Sequence, residues 1–214
     1  MTRKAYTGAR IFDGETWWER SALVVAADGT VESIVAADSP TDAERVPLDG
    51  GILAPGFVDL QVNGFGGAQF DRAPTLDSIR TICAAVARTG VTACLPTLVT
   101  SSRDTTAAAI AAGLAAAGAG VPGFLGLHLE GPHLGVARKG AHDPALIRPM
   151  EEADLVALVE ARAGLPNLLV TVAAETVAPN QIRRLSEAGI VVSIGHPMPA
   201  TAPCAPPPRP VPAW

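Results

Sequence analysis

The sequence predicts an α/β protein: an incomplete (β/α)8 barrel of about five strands, preceded by a small β-rich subdomain. Three observations predict it. Five short apolar runs are each separated from the next by a stretch of helical period, the pattern of parallel βαβ units. Strand plus helix repeats every roughly 35 residues, a spacing shared by doubly wound sheets and (β/α)8 barrels. Polar residues able to bind ligands close several of the runs: Gln61, Asn63, Glu130, Glu175 and His196. A barrel gathers those ends at one mouth. No G-x-G-x-x-G opens the first helix, so a dinucleotide-binding sheet would lack its phosphate cradle.

Residues 1–55 read as short strands punctuated by Asp-Gly and Gly-Gly turns, the signature of a small antiparallel unit and a partial β-sandwich. From 56 the rhythm alternates. The apolar run 56–64 is the first barrel strand, and 76–88 the first helix. The second pair is 92–100 and 102–119, with Ser101 or Ser102 as N-cap. The third strand is 124–130, followed by a long loop and a helix over 151–163. Strand 168–175, helix 179–188 and strand 190–196 complete the pattern, so the barrel segment spans 56–196. Five parallel strands leave two open edges.

Composition narrows the function classes. The chain has 214 residues, 48% hydrophobic and 17% charged, which excludes a disordered or fibrous protein. A net charge of −5 gives no basic footprint, so neither nucleic acid nor an anionic membrane is an expected partner. Cys83, Cys94 and Cys204 are too few and too scattered for a disulfide framework or a cysteine-type zinc site. The amino-terminal residues carry no apolar core of a signal peptide. The apolar window 105–121 is mostly Ala and Gly, too weak to span a bilayer. A cytoplasmic setting is expected.

The segment LGLHLEGPHLGVARKGAHDP (125–144) holds three of the four histidines and Glu130. Strand alternation puts His128 and Glu130 on one side, with Leu127 and Leu129 opposite. By spacing alone, His128 also reads as a satisfied core residue and Glu130 as an arginine partner. His196 by itself reads as structural. Paired with Glu130 at one mouth, it reads as a ligand of a divalent metal such as zinc or iron. Gln61 and Asn63 share a face and are possible metal or water contacts; the competing role is turn capping around Gly64, Gly66 and Gly67.

The motifs APGFVDLQVNGFGGAQFD, LGLHLEGPHL with KGAHDP, and LVTVAAE…AGIVVSIGH resemble the N-acetylglucosamine-6-phosphate deacetylase family of the amidohydrolase superfamily, as far as residue 196. The resemblance implies a metal-dependent hydrolase barrel and deacetylation of an amino-sugar phosphate to the free amine and acetate. Another N-acyl sugar, a cyclic amide or a non-catalytic remnant are the alternatives. It implies Glu130 and His196 as metal ligands, Ala141 and His142 as substrate contacts, and a homo-oligomer. His133 receives no role. Gln61-x-Asn63 stands where many amidohydrolases have His-x-His.

Of 19 prolines, 8 fall in residues 197–214, which contain no His, Asp or Glu. The family's second metal histidine and its general acid–base aspartate have no counterpart there, so no catalytic residue is assigned. The stretch reads as a disordered tail produced by a shifted frame in GC-rich codons. PPPRPVP also fits a polyproline II ligand of SH3-like modules.

Overall fold

The computed structural model describes residues 2–196. The readings made of 197–214, and Cys204, lie outside the described residues. The chain divides into two compact units, one from Met1 to Gly56 and one beginning at Phe57.

The first unit is built from seven short strands: β1 (Lys4–Thr7), β2 (Arg10–Phe12), β3 (Trp17–Trp18), β4 (Ser21–Val25), β5 (Val31–Ala36), β6 (Glu44–Pro47) and β7 (Ile52–Leu53). They form one sheet in the order β5-β4-β1-β6 and another in the order β3-β2-β7. The Asp28-Gly29 turn closes the β4–β5 hairpin, with Ala26 donating to Thr30 at 2.8 Å. Ala5, Val24 and Ala43 pack together in the first sheet's core. The expected antiparallel unit is only partly what forms, because β1 pairs with β6, and β2 with β7, in parallel. A tight turn imposes antiparallel pairing only on strands adjacent in sequence. β6 and β7 return after a long excursion and are free to run alongside β1 and β2.

The second unit contains β8 (Phe57–Val62), the small hairpin β9 (Gly64–Phe65) and β10 (Ala68–Gln69), then α1 (Leu76–Val86), β11 (Val91–Val99), α2 (Arg103–Gly118), β12 (Leu127–Glu130), α3 (Glu152–Arg162), β13 (Leu168–Val172), α4 (Pro179–Glu187) and β14 (Val191–Ile194). Five strands make one parallel sheet in the order β14-β13-β12-β11-β8. Each neighbour follows through a helix, and the sheet curls as half of a barrel. Edge strands β8 and β14 carry exposed Phe57, Val58, Leu60, Val191 and Ile194.

Local chemistry sets the helices. Thr75 caps α1 by accepting from the Ser78 amide at 3.2 Å, and Ile79, Ile82, Cys83 and Val86 bury one stripe. Ser102, the second of the two expected caps, accepts from Thr105 at 3.1 Å and starts α2. Small residues let α2 lie close on the sheet: a Cβ at Gly113 would stand 2.5 Å from Leu127 Cδ1. Asp154 reaches back to the Glu151 amide at 3.0 Å to start α3. It is also held by Arg148 and Arg103. Burial raises the Asp154 carboxyl, and the two guanidiniums reverse this, leaving it well below the usual carboxylate range. Cys83 and Cys94, scattered in sequence, meet with sulfurs 3.8 Å apart where α1 packs on β11.

Four of the five strands of this sheet are shorter than the apolar runs; β11 keeps a full nine residues. β13 stops at Val172 because the Ala173 amide turns to the His133 carbonyl at 2.8 Å. β14 stops before Gly195, and His196 takes a left-handed conformation, φ 51°. Register aligns Val99, Glu130, Thr171 and Ser193 across four strands, so the mouth is built at one level.

Candidate metal centre

Glu130 is the last residue of β12, and its side chain is nearly enclosed. Gln61, from β8, donates Nε2–H to Oε2 at 2.9 Å. Oε1 faces two imidazoles: Nε2 of His196 at 3.1 Å and Nε2 of His142 at 3.6 Å. The two rings meet edge to face with centroids 4.9 Å apart. One ligand atom from each of Glu130, His142 and His196 lies within 4.8 Å of the others.

The far side of the His196 ring fixes its proton. Nδ1 lies 2.7 Å from the Arg138 carbonyl oxygen, which can only accept, so Nδ1 carries hydrogen. In the neutral ring Nε2 is then a bare lone pair aimed at a carboxylate. Two acceptors 3.1 Å apart repel unless a cation, a proton or a metal ion, stands between them. Burial holds His142 below the usual imidazole range, against the raising effect of Glu130. The donor set of one carboxylate and two imidazole nitrogens suits zinc or iron.

Two glycines make the site geometrically possible. At Gly131, φ 86°, a Cβ would fall 2.2 Å from Thr100 Oγ1. At Gly135 a Cβ would stand 2.6 Å from the His196 carbonyl oxygen, which the Gly135 amide reaches at 3.2 Å. The loop after β12 is thereby laid against both Thr100 and His196.

The other sequence candidates separate clearly. His128 is a satisfied core residue: Nδ1–H donates to the Leu60 carbonyl at 3.0 Å, and Nε2 accepts from Thr171 Oγ1 at 2.8 Å. Burial lowers its pKa. Glu130 has Gln61 and His196 as partners, where spacing alone allowed an arginine. Of the Gln61/Asn63 pair, Gln61 reaches Glu130. Asn63 is exposed and its carbonyl accepts from the Phe70 amide at 2.9 Å, closing the β9–β10 hairpin. Ala141 is exposed beside buried His142. His133 is a loop staple, donating Nδ1–H to the Arg148 carbonyl at 3.0 Å. Sequence reasoning missed Thr100 and the Arg138 carbonyl. Thr100 had a signal, its place at the end of an apolar run, but a backbone carbonyl in a loop has none. A cavity of about 530 Å³ between α2 and α3 lies on the other face of the sheet, against Leu129 and Val170.

A curled parallel half-barrel with carboxylate and imidazole groups at the carboxyl ends of its strands has the architecture of the amidohydrolase class. No protein-family model matches the chain. Individual proteins do. It is 38% identical over 192 residues to an N-acetylgalactosamine-6-phosphate deacetylase of a Shewanella species, covering 88% of this chain and 48% of that one. It is 34% identical over 203 residues to the human N-acetylglucosamine-6-phosphate deacetylase, covering 89% and 48%. The crystal structure of N-acetylglucosamine-6-phosphate deacetylase from Pasteurella multocida superposes with a TM-score of 0.84 at 30% identity, over 91% of this chain and 51% of that one. A Mycobacterium smegmatis deacetylase, in complex with N-acetyl-D-glucosamine-6-phosphate, gives 0.77 at 29% identity, over 92% and 50%. The chain belongs to the family of N-acetylglucosamine- and N-acetylgalactosamine-6-phosphate deacetylases. It spans about half the length of the curated relatives it matches. No helix among the described residues is long and apolar enough to cross a membrane.

Proposed function

We propose that this chain binds a divalent metal ion, zinc or iron, through Glu130 and His196, and serves the deacetylation of an N-acetyl amino-sugar 6-phosphate. N-acetylglucosamine 6-phosphate would yield glucosamine 6-phosphate and acetate. The observation that carries this reading is the convergence of the Glu130 carboxylate and Nε2 of His196, 3.1 Å apart, at one mouth of the sheet.

When bound, such a cation supplies a water of lowered pKa and polarises the acetamide carbonyl. The chain's own residues set up that chemistry. Gln61 ties down Oε2 of Glu130 and leaves Oε1 turned to the imidazoles. The Arg138 carbonyl holds the His196 ring in one tautomer. Burial of Glu130 keeps bulk water from competing for its oxygens. Ala141 and His142, beside these donors, contact the sugar. Moving a proton from water to the leaving amine calls for a further carboxylate. The family resemblance gives that role to an aspartate of the last barrel strand, and none of the described residues is proposed for it.

Metal analysis of the purified chain tests the centre. One equivalent of zinc or iron is expected, lost in Glu130→Ala and in His196→Ala. Unchanged metal in both variants refutes the assignment. Binding of N-acetylglucosamine 6-phosphate and its galactosamine epimer by the metal-loaded chain tests the substrate class. Binding that weakens in Glu130→Ala supports it, and no binding of either epimer refutes it.

A further inference from the structure

We infer that His128 is a positioning residue of this metal centre: it clamps a bulge in β8 that turns Gln61 out of regular alternation and toward Glu130. The inference rests on the metal reading above and deepens it.

Register comes first. β8 pairs with β11 at Asp59–Cys94 and again at Val62–Pro96, so β8 takes three steps where β11 takes two. One extra residue on one strand is a β-bulge, a rare feature between parallel strands. A slip of one residue moves a side chain to the other side of a sheet. Cys94 meets Cys83 of α1, so Asp59, opposite Cys94, lies on the helix side. Strict alternation would put Gln61 there too. The bulge instead sets Val62 beside Pro96 and among the helix-side core residues. Gln61 is left on the inner face, where it reaches Oε2 of Glu130 at 2.9 Å.

The second argument is how the bulge is held. Pro96, opposite it, has no amide hydrogen to give, and the backbone groups of the bulge find side chains. The Leu60 carbonyl accepts from Nδ1–H of His128 at 3.0 Å. The Gln61 amide donates to Asp59 Oδ1 at 3.0 Å, and the Val62 amide to Thr97 Oγ1 at 3.0 Å. Of these three partners, His128 alone belongs to the strand that carries Glu130, two residues before it and on the same face. The bonds from His128 to Leu60 and from Gln61 to Glu130 therefore join β12 to β8 side by side, across β11. The ring itself is fixed by Thr171 Oγ1, which donates to Nε2 at 2.8 Å.

The test is the zinc affinity of the full 214-residue chain without any sugar, measured by competition with a chromophoric chelator. Asparagine at 128 places an amide N–H near the Nδ1 position and keeps a donor for Leu60. Glutamine reaches the Nε2 position and leaves the Leu60 carbonyl unpaired. His128→Gln is expected to lose about 10-fold in affinity, the low end for a supporting partner, and His128→Asn to keep the wild-type value. In a Gln61→Ala background His128→Gln should cause no further loss, because both act through one bond. Asp59→Ala, at a partly exposed position, loosens the same bulge and should weaken zinc binding only while Gln61 is present. Wild-type affinity in a folded His128→Gln overturns the inference and leaves the metal centre standing. So does an equal loss in His128→Asn, or a loss that persists in full after Gln61→Ala. If His128→Gln does not fold, Asp59→Ala decides: wild-type affinity, or a loss independent of Gln61, overturns the role of the bulge. Unchanged affinity in Glu130→Ala and His196→Ala refutes the metal centre itself.

Discussion

Gln61 on β8 donates its side-chain amide to Oε2 of Glu130 on β12 at 2.9 Å, across the intervening strand β11 and a sequence separation of 69 residues. One oxygen of the carboxylate is thereby held by a neutral donor, and the other is left for the imidazoles.

This bond makes Gln61 a positioning residue. Gln61→Ala frees the Glu130 carboxylate to rotate, and a supporting partner of this kind is worth about 10-fold in metal affinity. Because Gln61 is exposed, its loss should change folding stability by no more than about 0.5 kcal/mol. Zinc titration and urea denaturation of the same variant separate the two effects.

Gly135→Ala is expected to damage the site through the backbone. The new Cβ would lie 2.6 Å from the His196 carbonyl oxygen, which cannot swing aside as a side chain can. Overpacking of this sort costs about 1–3 kcal/mol. The displaced His196 should also weaken zinc binding, so a lower melting temperature and a lower affinity are expected together.

His133 gives a pH dependence with a defined sign. Burial lowers its pKa in the fold, so the ring is neutral where the unfolded chain's histidine begins to protonate. The unfolded state then binds more protons, and stability rises with pH in that interval. The contribution is fully present above about pH 6.5, the unfolded value, and is lost as pH falls through the lowered folded value. Urea midpoints between pH 5 and 8 should show this slope. His133→Asn, which keeps a donor for the Arg148 carbonyl, should reduce it, the buried His128 and His142 supplying the remainder with the same sign.

Gly113 and Leu127 should be energetically coupled. Leu127→Ala removes a fully buried side chain and is expected to cost about 2–5 kcal/mol. Gly113→Ala pushes a methyl to within 2.5 Å of Leu127 Cδ1 and should cost about 1–3 kcal/mol. In the double variant the added methyl occupies space that the leucine vacated, so the pair should cost less than the sum of the singles. Denaturant melts of the four proteins complete the cycle.

Much of the fold was legible because hydrophobic period is local. Leu127 and Leu129 alternate with His128 and Glu130, and the structure puts the first two among helix-facing core residues and the second two on the opposite face. Ile79, Ile82, Cys83 and Val86 repeat at helical spacing and bury one stripe of α1. The parallel pairing of β1 with β6 was not legible, since nothing local tells a returning strand which neighbour it will meet.

The sequence by itself determined the alternation of strand and helix, the placement of Glu130 at a strand end, and the family motifs around it; His196, expected to close the last strand, lies two residues beyond it. Only the tertiary structure decided that His128 is satisfied in the core, and that Gln61, Thr100, His142 and the Arg138 carbonyl surround the Glu130–His196 pair. The reason is physical. A strand end is set by neighbouring residues, whereas these hydrogen bonds join groups about 40 to 70 positions apart, and their geometry exists only once the sheet has curled and the loop after β12 has folded over its mouth.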